Sequence, residues 1–217
     1  MNMKRRDFSR MVAGTAIGSA VWSEAFAQWA PPTPGKDYYV VNPRAPVDAP
    51  AGKIDVVEFF WYSCPHCNAI EPAMPAWIKK LPMDAAFRRV PVAFNDSFAP
   101  QQRLYFALDA MGLVEKLHAK VFQAIHAEKQ QLARGDAIFD WVAKQGVDRT
   151  KFESTYNSAP VSAKSAAATA LQNSYKVEGV PAIGVAGRFY TDGSIAGTME
   201  RALQIGMSLI SEARRAS

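Results

Sequence analysis

The sequence predicts an α/β chain: a strand–helix–strand unit, a long helical insert, then a hairpin and a closing helix. Three observations carry this. Residues 54–60 form an apolar-rich run without polar alternation, which reads as a strand buried on both faces and leads into the only two cysteines of the chain, Cys64 and Cys67. From about residue 100 to 170 the hydrophobic period turns helical. Strand character returns after residue 181, ahead of an amphipathic C-terminal stretch.

Each element follows from local chemistry. Residues 28–53 hold six prolines, which exclude a helix and give an extended lead-in with one short strand at Tyr38-Tyr39-Val40-Val41. Residues 65–80 read as a helix interrupted at Pro72 and Pro75, since each proline removes a backbone hydrogen bond. Phe87 to Phe94 reads as a second strand, with Val90, Val92 and Phe94 on one face. Leu104, Leu108 and Met111, then Val114, Leu117, Val121 and Ile125, keep helical spacing, with Gly112 as a cap between them. Asp136 can start a further helix that Gly146 ends, Asp148 can cap a short helix carrying Phe152, and Ala159 to Tyr175 has strong helix propensity. Ala182 to Ala186 and Phe189-Tyr190-Thr191 flank a Gly187-Arg188 turn, and Thr198 to Arg214 closes the chain as an amphipathic helix.

The cysteine pair selects the chemistry. A bridge between Cys64 and Cys67 closes almost no loop, so it would add little as a structural staple. Structural zinc needs four ligands. The histidines are His66, inside the pair, and His118 and His126, eight residues apart, so no second half-site is visible and no metal is expected. His118 and His126 read as ordinary helix-surface residues. A thiol–disulfide redox pair remains. With a strand before it and a helix after it, Cys64 falls at a helix N-terminus, where unpaired N–H groups and the helix dipole stabilise a thiolate. Pro65 suits the first turn, and His66 adds a donor and, when protonated, a charge. Glu58, inside the buried run, is a candidate tuning acid, because burial raises a carboxyl pKa and lets it hold or relay a proton; a solvated strand-edge glutamate is the alternative. Glu71 is a weaker candidate that a solvated helix position explains as well. No cofactor motif occurs, and none is expected.

The N-terminus points to export. Lys4, Arg5, Arg6 and Arg10 precede a mildly apolar stretch, Met11 to Trp22, and an Ala25-Phe26-Ala27 cleavage pattern. Residues 1–27 therefore read as a signal peptide. Arg5-Arg6-Asp7-Phe8 resembles a twin-arginine signal, with a general secretory signal as the alternative. Of the formal net charge of +5, part leaves with this segment, and the mild remainder excludes an argument for nucleic acid or anionic membrane. An oxidising compartment would let the pair stay oxidised.

Glu58-Phe59-Phe60, Cys64-Pro65-His66-Cys67, a helical stretch of about 70 residues and Gly179-Val180-Pro181-Ala182 before a hairpin together resemble the DsbA family. The resemblance covers the chain from about Tyr38. It implies a thioredoxin fold with an inserted α-helical domain: residues 28–95 and 176–217 as the thioredoxin-like domain, residues 96–175 as the insert. It implies a periplasmic thiol:disulfide oxidoreductase in which Cys64 is the exposed nucleophile, Cys67 its buried partner, Glu58 an acid tuning Cys67, Pro181 a cis-proline facing the pair, and Val180 a backbone site for an extended peptide. The implied partners are reduced exported proteins and a quinone-linked membrane oxidase of the DsbB type; residues 28–53 are too few and too proline-rich for a dimerisation module, so a monomer is expected. Two departures stand out. Pro72 resembles the kinked active-site helix of thioredoxin, and Trp61-Tyr62-Ser63 puts bulky aromatics before Cys64, where they would alter the groove. A thioredoxin-like reductase or isomerase, and a redox-inactive peptide-binding chaperone, are the alternatives.

Overall fold

The computed structural model describes residues 31–215, and the expectations for the N-terminal signal segment lie outside them. The sheet has five strands in the order β1-β5-β4-β2-β3: β1 Tyr39–Val40, β2 Ile54–Phe60, β3 Ala85–Pro91, β4 Ala182–Val185 and β5 Phe189–Asp192. Strand β2 pairs in parallel with β3 and antiparallel with β4. Its Val56, Val57, Phe59 and Phe60 are wholly buried, because both faces are covered. Val57 and Phe59 join a core shared with the helical insert, while Val56 joins one formed with the helices that follow β2 and close the chain.

The prolines break the helix after β2 as expected. It runs as α1 (Pro65–Ile70), a 3-10 turn at Glu71–Ala73, and α2 (Met74–Lys79). The insert follows as α3 (Ala99–Ala110), α4 (Val114–His126), α5 (Gly135–Lys144), α6 (Arg149–Tyr156) and α7 (Ala159–Tyr175). Asp148 caps α6 by accepting from the Lys151 N–H at 2.9 Å. Gly112 and Gly146 follow α3 and α5 with positive φ. The short helix α8 (Gly193–Ala196) and the long α9 (Met199–Arg215) end the described chain.

Two expectations are corrected. The second strand stops at Pro91 rather than running to Phe94. The Gln172 side chain takes the Ala93 N–H at 2.8 Å, and Asn95 turns the chain into a 3-10 helix by accepting from the Ser97 N–H at 2.9 Å. Phe94 therefore points to solvent instead of sharing a face with Val90 and Val92. His118 is not a surface residue; it is buried, and His126 is half-buried, because α4 packs beneath the loop that precedes Cys64.

The insert also reaches the far end of the sheet. Tyr175, at the end of α7, lies against β4 so closely that a Cβ on Gly184 would stand 2.6 Å from its ring. The Tyr175 hydroxyl accepts from the Gly187 N–H at 2.8 Å, at the hairpin turn where φ is +68°. Glycine is required at both places, for clearance at one and for conformation at the other.

Candidate functional site

The cysteine pair sits where β2 hands over to α1. Cys64 is the N-cap residue of α1, with extended backbone (φ −77°, ψ 119°), and Pro65 occupies the first turn, where its missing N–H leaves nothing unsatisfied. The Cys64 sulfur accepts from the Cys67 N–H at 3.5 Å and, as a thiol, donates to the Val180 carbonyl oxygen at 3.2 Å. The Val180–Pro181 peptide, in the turn before β4, is cis. Asn42–Pro43 is also cis, which nothing in the sequence signalled. Both cysteines are free thiols and both are buried, Cys64 at 7 % and Cys67 at 1 % exposure; Cys64 is thus not the exposed residue expected, because the turn at Val180 lies against its sulfur.

These positions make the two thiols unequal. The Cys67 thiol donating to Cys64 is the largest influence on Cys64. The backbone N–H groups of Cys67 and His66 and the charge of His66 act the same way against burial, and the Cys64 pKa falls to about 6. Cys67 moves in the opposite direction, chiefly because it is buried, and also because it gives its proton toward Cys64 and lies near the Glu58 carboxylate. One thiol is thus an anion at neutral pH and the other holds its proton. His66 is exposed beside the pair.

Glu58 is buried beneath the pair, with 1 % exposure. Burial raises its pKa to about 7, and Glu71 adds to this, while Arg89 opposes it by charge and hydrogen bond. The sheet register creates this contact: Glu58 and Arg89 are direct partners across β2 and β3, and the Arg89 Nε donates to the Glu58 carboxylate at 3.0 Å. Arg89 also donates to Glu71 at 3.2 Å. Glu71 is therefore part of the charged group under the active site and not a solvated helix residue, its side chain being 12 % exposed. Sequence reasoning missed Arg89. The register of β3 against β2 is what pairs it, and that register is a long-range property.

The residues before Cys64 are held by the insert. Tyr62 turns inward and is buried, so it does not narrow the groove as its bulk suggested. Its hydroxyl bonds His118 Nδ1 at 2.9 Å and its carbonyl oxygen meets His126 Nε2 at 2.8 Å. The Ser63 N–H donates to the Gln101 side chain at 3.1 Å, and Gln101 donates back to the Ser63 hydroxyl at 2.7 Å. Trp61 packs against Phe98 with ring centroids 4.2 Å apart.

A cleft of about 320 Å³ opens beside the pair, lined by His66, Val180, Pro181, Asp192, Thr198 and Met199 among others. The wall from Asp192 to Met199 was not singled out from sequence. Its signal was Asp192-Gly193-Ser194, where the Asp192 carboxylate accepts from the N–H groups of Ser194 and Ile195 and caps α8.

An N-cap thiolate, a buried partner thiol, a cis-proline turn and a helical insert between β3 and β4 have counterparts in known proteins. The model of the DSBA-like thioredoxin domain matches residues 77–204. The thiol:disulfide interchange protein DsbA of Bordetella pertussis is 39% identical over 214 residues, which cover 98% of this chain and 100% of that protein. The chain belongs to the DsbA family. The DsbA of Burkholderia cepacia is 43% identical over 180 residues, 81% of this chain and 85% of that one. In structure, the DsbA of Pseudomonas aeruginosa superposes with a TM-score of 0.79 at 38% identity, covering 85% of this chain and 95% of its own. Membership of the DsbA family makes the chain a thiol:disulfide oxidoreductase with a thioredoxin fold carrying a helical insertion.

Proposed function

We propose that this chain gives its Cys64–Cys67 disulfide to reduced exported proteins. The observation that carries the reading is the inequality of the two thiols: Cys64 is an N-cap thiolate whose pKa lies at about 6, and Cys67 is buried and protonated. A substrate thiolate attacks the Cys64 sulfur, the Cys64–Cys67 bond breaks, and Cys67 leaves and takes a proton. A second substrate thiolate then attacks the substrate sulfur of the mixed disulfide, and Cys64 departs as a thiolate. Two electrons pass to the cysteine pair, and the substrate gains a disulfide. A stabilised Cys64 thiolate favours the reduced protein, which makes the disulfide an oxidant.

In this reading Glu58, with a pKa of about 7, supplies the proton that Cys67 takes as it leaves. His66 and Pro65 keep Cys64 acidic. Val180 and Pro181 receive an extended substrate segment along the cleft beside Cys64, by strand addition at the β4 end. The leader-like pattern of residues 1–27 supports a periplasmic location, reached by the twin-arginine or the general secretory route. A DsbB-type quinone-linked membrane oxidase would restore the disulfide, and the chain would act as a monomer. The division into a redox domain, residues 28–95 and 176–217, and an inserted domain, residues 96–175, belongs to the same proposal.

Cys64→Ser tests it. Oxidation of a reduced, unfolded substrate should fall to background. If the wild type does not oxidise the substrate, and wild type and Cys64→Ser suppress its aggregation equally, the chain acts as a peptide-binding chaperone and the oxidase reading is wrong.

A further inference from the structure

Helix α4 carries a histidine that the reaction above does not use. His118 lies inside an aromatic cage, with the rings of Phe60, Tyr62 and Phe122 centred 5.2, 5.2 and 5.3 Å away and Tyr105 at 6.0 Å. A polar ring in such a place needs partners on its nitrogens. Nδ1 has the Tyr62 hydroxyl at 2.9 Å. Nε2 faces the Glu71 carboxylate at 3.4 Å, within ion-pair distance, and neither Nε2 nor the second Glu71 oxygen makes a well-formed hydrogen bond among the described residues. A nitrogen facing a carboxylate carries the proton, which leaves Nδ1 to accept from the Tyr62 O–H. The other charged groups around the ring are Arg89 on β3 and Glu115 on α4 itself. The ring is neutral at neutral pH, since burial holds its pKa below the ordinary histidine value.

We propose that His118 is a positioning residue of the redox site, joining the loop that presents Cys64 to the carboxylate–arginine group beneath Cys67. Tyr62 is two residues from Cys64. It is held at the hydroxyl by His118 and at the carbonyl by His126, two turns further along the same helix. The next turn of chain is fixed by the Cys64 N–H donating to the Trp61 carbonyl at 3.0 Å. Holding Tyr62 therefore holds the backbone that puts the Cys64 sulfur on the α1 cap. On the other side, His118 stands against Glu71, which shares Arg89 with Glu58. The helical insert thus sets the acidity of Cys64 without touching the sulfur. This role rests on the proposed reaction, in which Cys64 forms the mixed disulfide and departs as a thiolate.

The test uses the full chain in its dithiol form. The variants are Tyr62→Phe, His118→Phe and the double substitution; phenylalanine keeps the packed ring and removes the polar contact. Thiolate absorbance against pH gives the Cys64 midpoint, alkylation rate checks it, and thermal melting records folding. Each single variant should raise the midpoint by about half a pH unit, roughly a three-fold loss of thiolate below it. The double variant should raise it no further than His118→Phe alone, because that substitution already removes the Tyr62 contact. Unchanged midpoints in both singles, a lower melting temperature with no change in midpoint, or a double shift equal to the sum of the singles would each overturn the proposal. If His118→Phe does not fold, Tyr62→Phe decides alone by the same midpoint, since it leaves the ring and the His126 contact in place. The wild-type midpoint tests the reading of Cys64 by itself, so failure there is distinct from failure of the comparison.

Discussion

Glu58 has Arg89 at 3.0 Å to stabilise its charge, and an enclosed position that opposes it. Burial wins, and the carboxyl is half protonated at about pH 7. This fixes a direction for its role. On the proposed role, Glu58 holds below pH 7 a proton to give to Cys67 as Cys67 leaves, and above pH 7 it does not. The rate at which a small thiol reduces the Cys64–Cys67 disulfide, corrected for the ionisation of that thiol, should therefore fall as pH rises through about 7. Glu58→Gln should abolish this inflection and be slower at low pH by about a hundred-fold, the lower end of what general acid catalysis supplies. Stopped-flow reduction followed by tryptophan fluorescence measures both. An inflection that survives in Glu58→Gln assigns it to another group. The candidate acid was visible in the sequence, as a glutamate in an otherwise apolar run. Its partner Arg89 was not, because Arg88 and Arg89 are equivalent until the strand register chooses which one faces Glu58.

At the scale of elements, most of the architecture follows from local rules. The proline interruptions at Pro72 and Pro75, the Asp148 cap and the alanine-rich helix from Ala159 to Tyr175 need only neighbours in sequence. The errors came where a side chain from a distant element competes for a backbone group. Gln172 takes the Ala93 N–H and ends β3 early. Likewise, His118 belongs to the surface by its helix alone, and to the interior once Tyr62 enters. Close packing of α7 on the sheet gives a further prediction. Gly184→Ala would place a methyl 2.6 Å from the Tyr175 ring, so the ring or the strand must move. The expected cost is about 2 kcal/mol of stability, within the usual range for overpacking, read by urea unfolding at pH 7. Tyr175→Ala combined with Gly184→Ala should lose less than the sum of the singles, since the clash is gone. Additive losses would mean that Gly184 meets some other obstacle.

At the scale of the whole molecule, the redox reaction and folding stability are one equilibrium. In the dithiol protein the Cys64 pKa of about 6 lies below the unfolded value of about 8.5. At Cys64 the unfolded chain binds more protons between these limits, so this thiol adds stability to the reduced protein as pH rises from about 6 and the gain is lost as pH falls through about 6; the opposing contribution of Glu58 is common to the reduced and oxidised forms and drops out of their difference. At pH 7 the gain is about 1 kcal/mol. Above about pH 9 the sign reverses, because the buried Cys67 keeps a proton that the unfolded chain has lost. The oxidised protein has neither thiol and shows neither trend. Urea unfolding of the two forms from about pH 5 to 8 should therefore show the reduced form gaining on the oxidised one, and Cys64→Ser should remove the trend. A gap between the two forms that is constant with pH would contradict a depressed Cys64. Because the reduced form is the favoured one, the disulfide should be a strong oxidant, and its equilibrium with glutathione measures this directly. The expected potential lies near the family's scale of about −120 mV; a value as low as the roughly −270 mV of thioredoxin would contradict the assignment of Cys64–Cys67 as a disulfide donor.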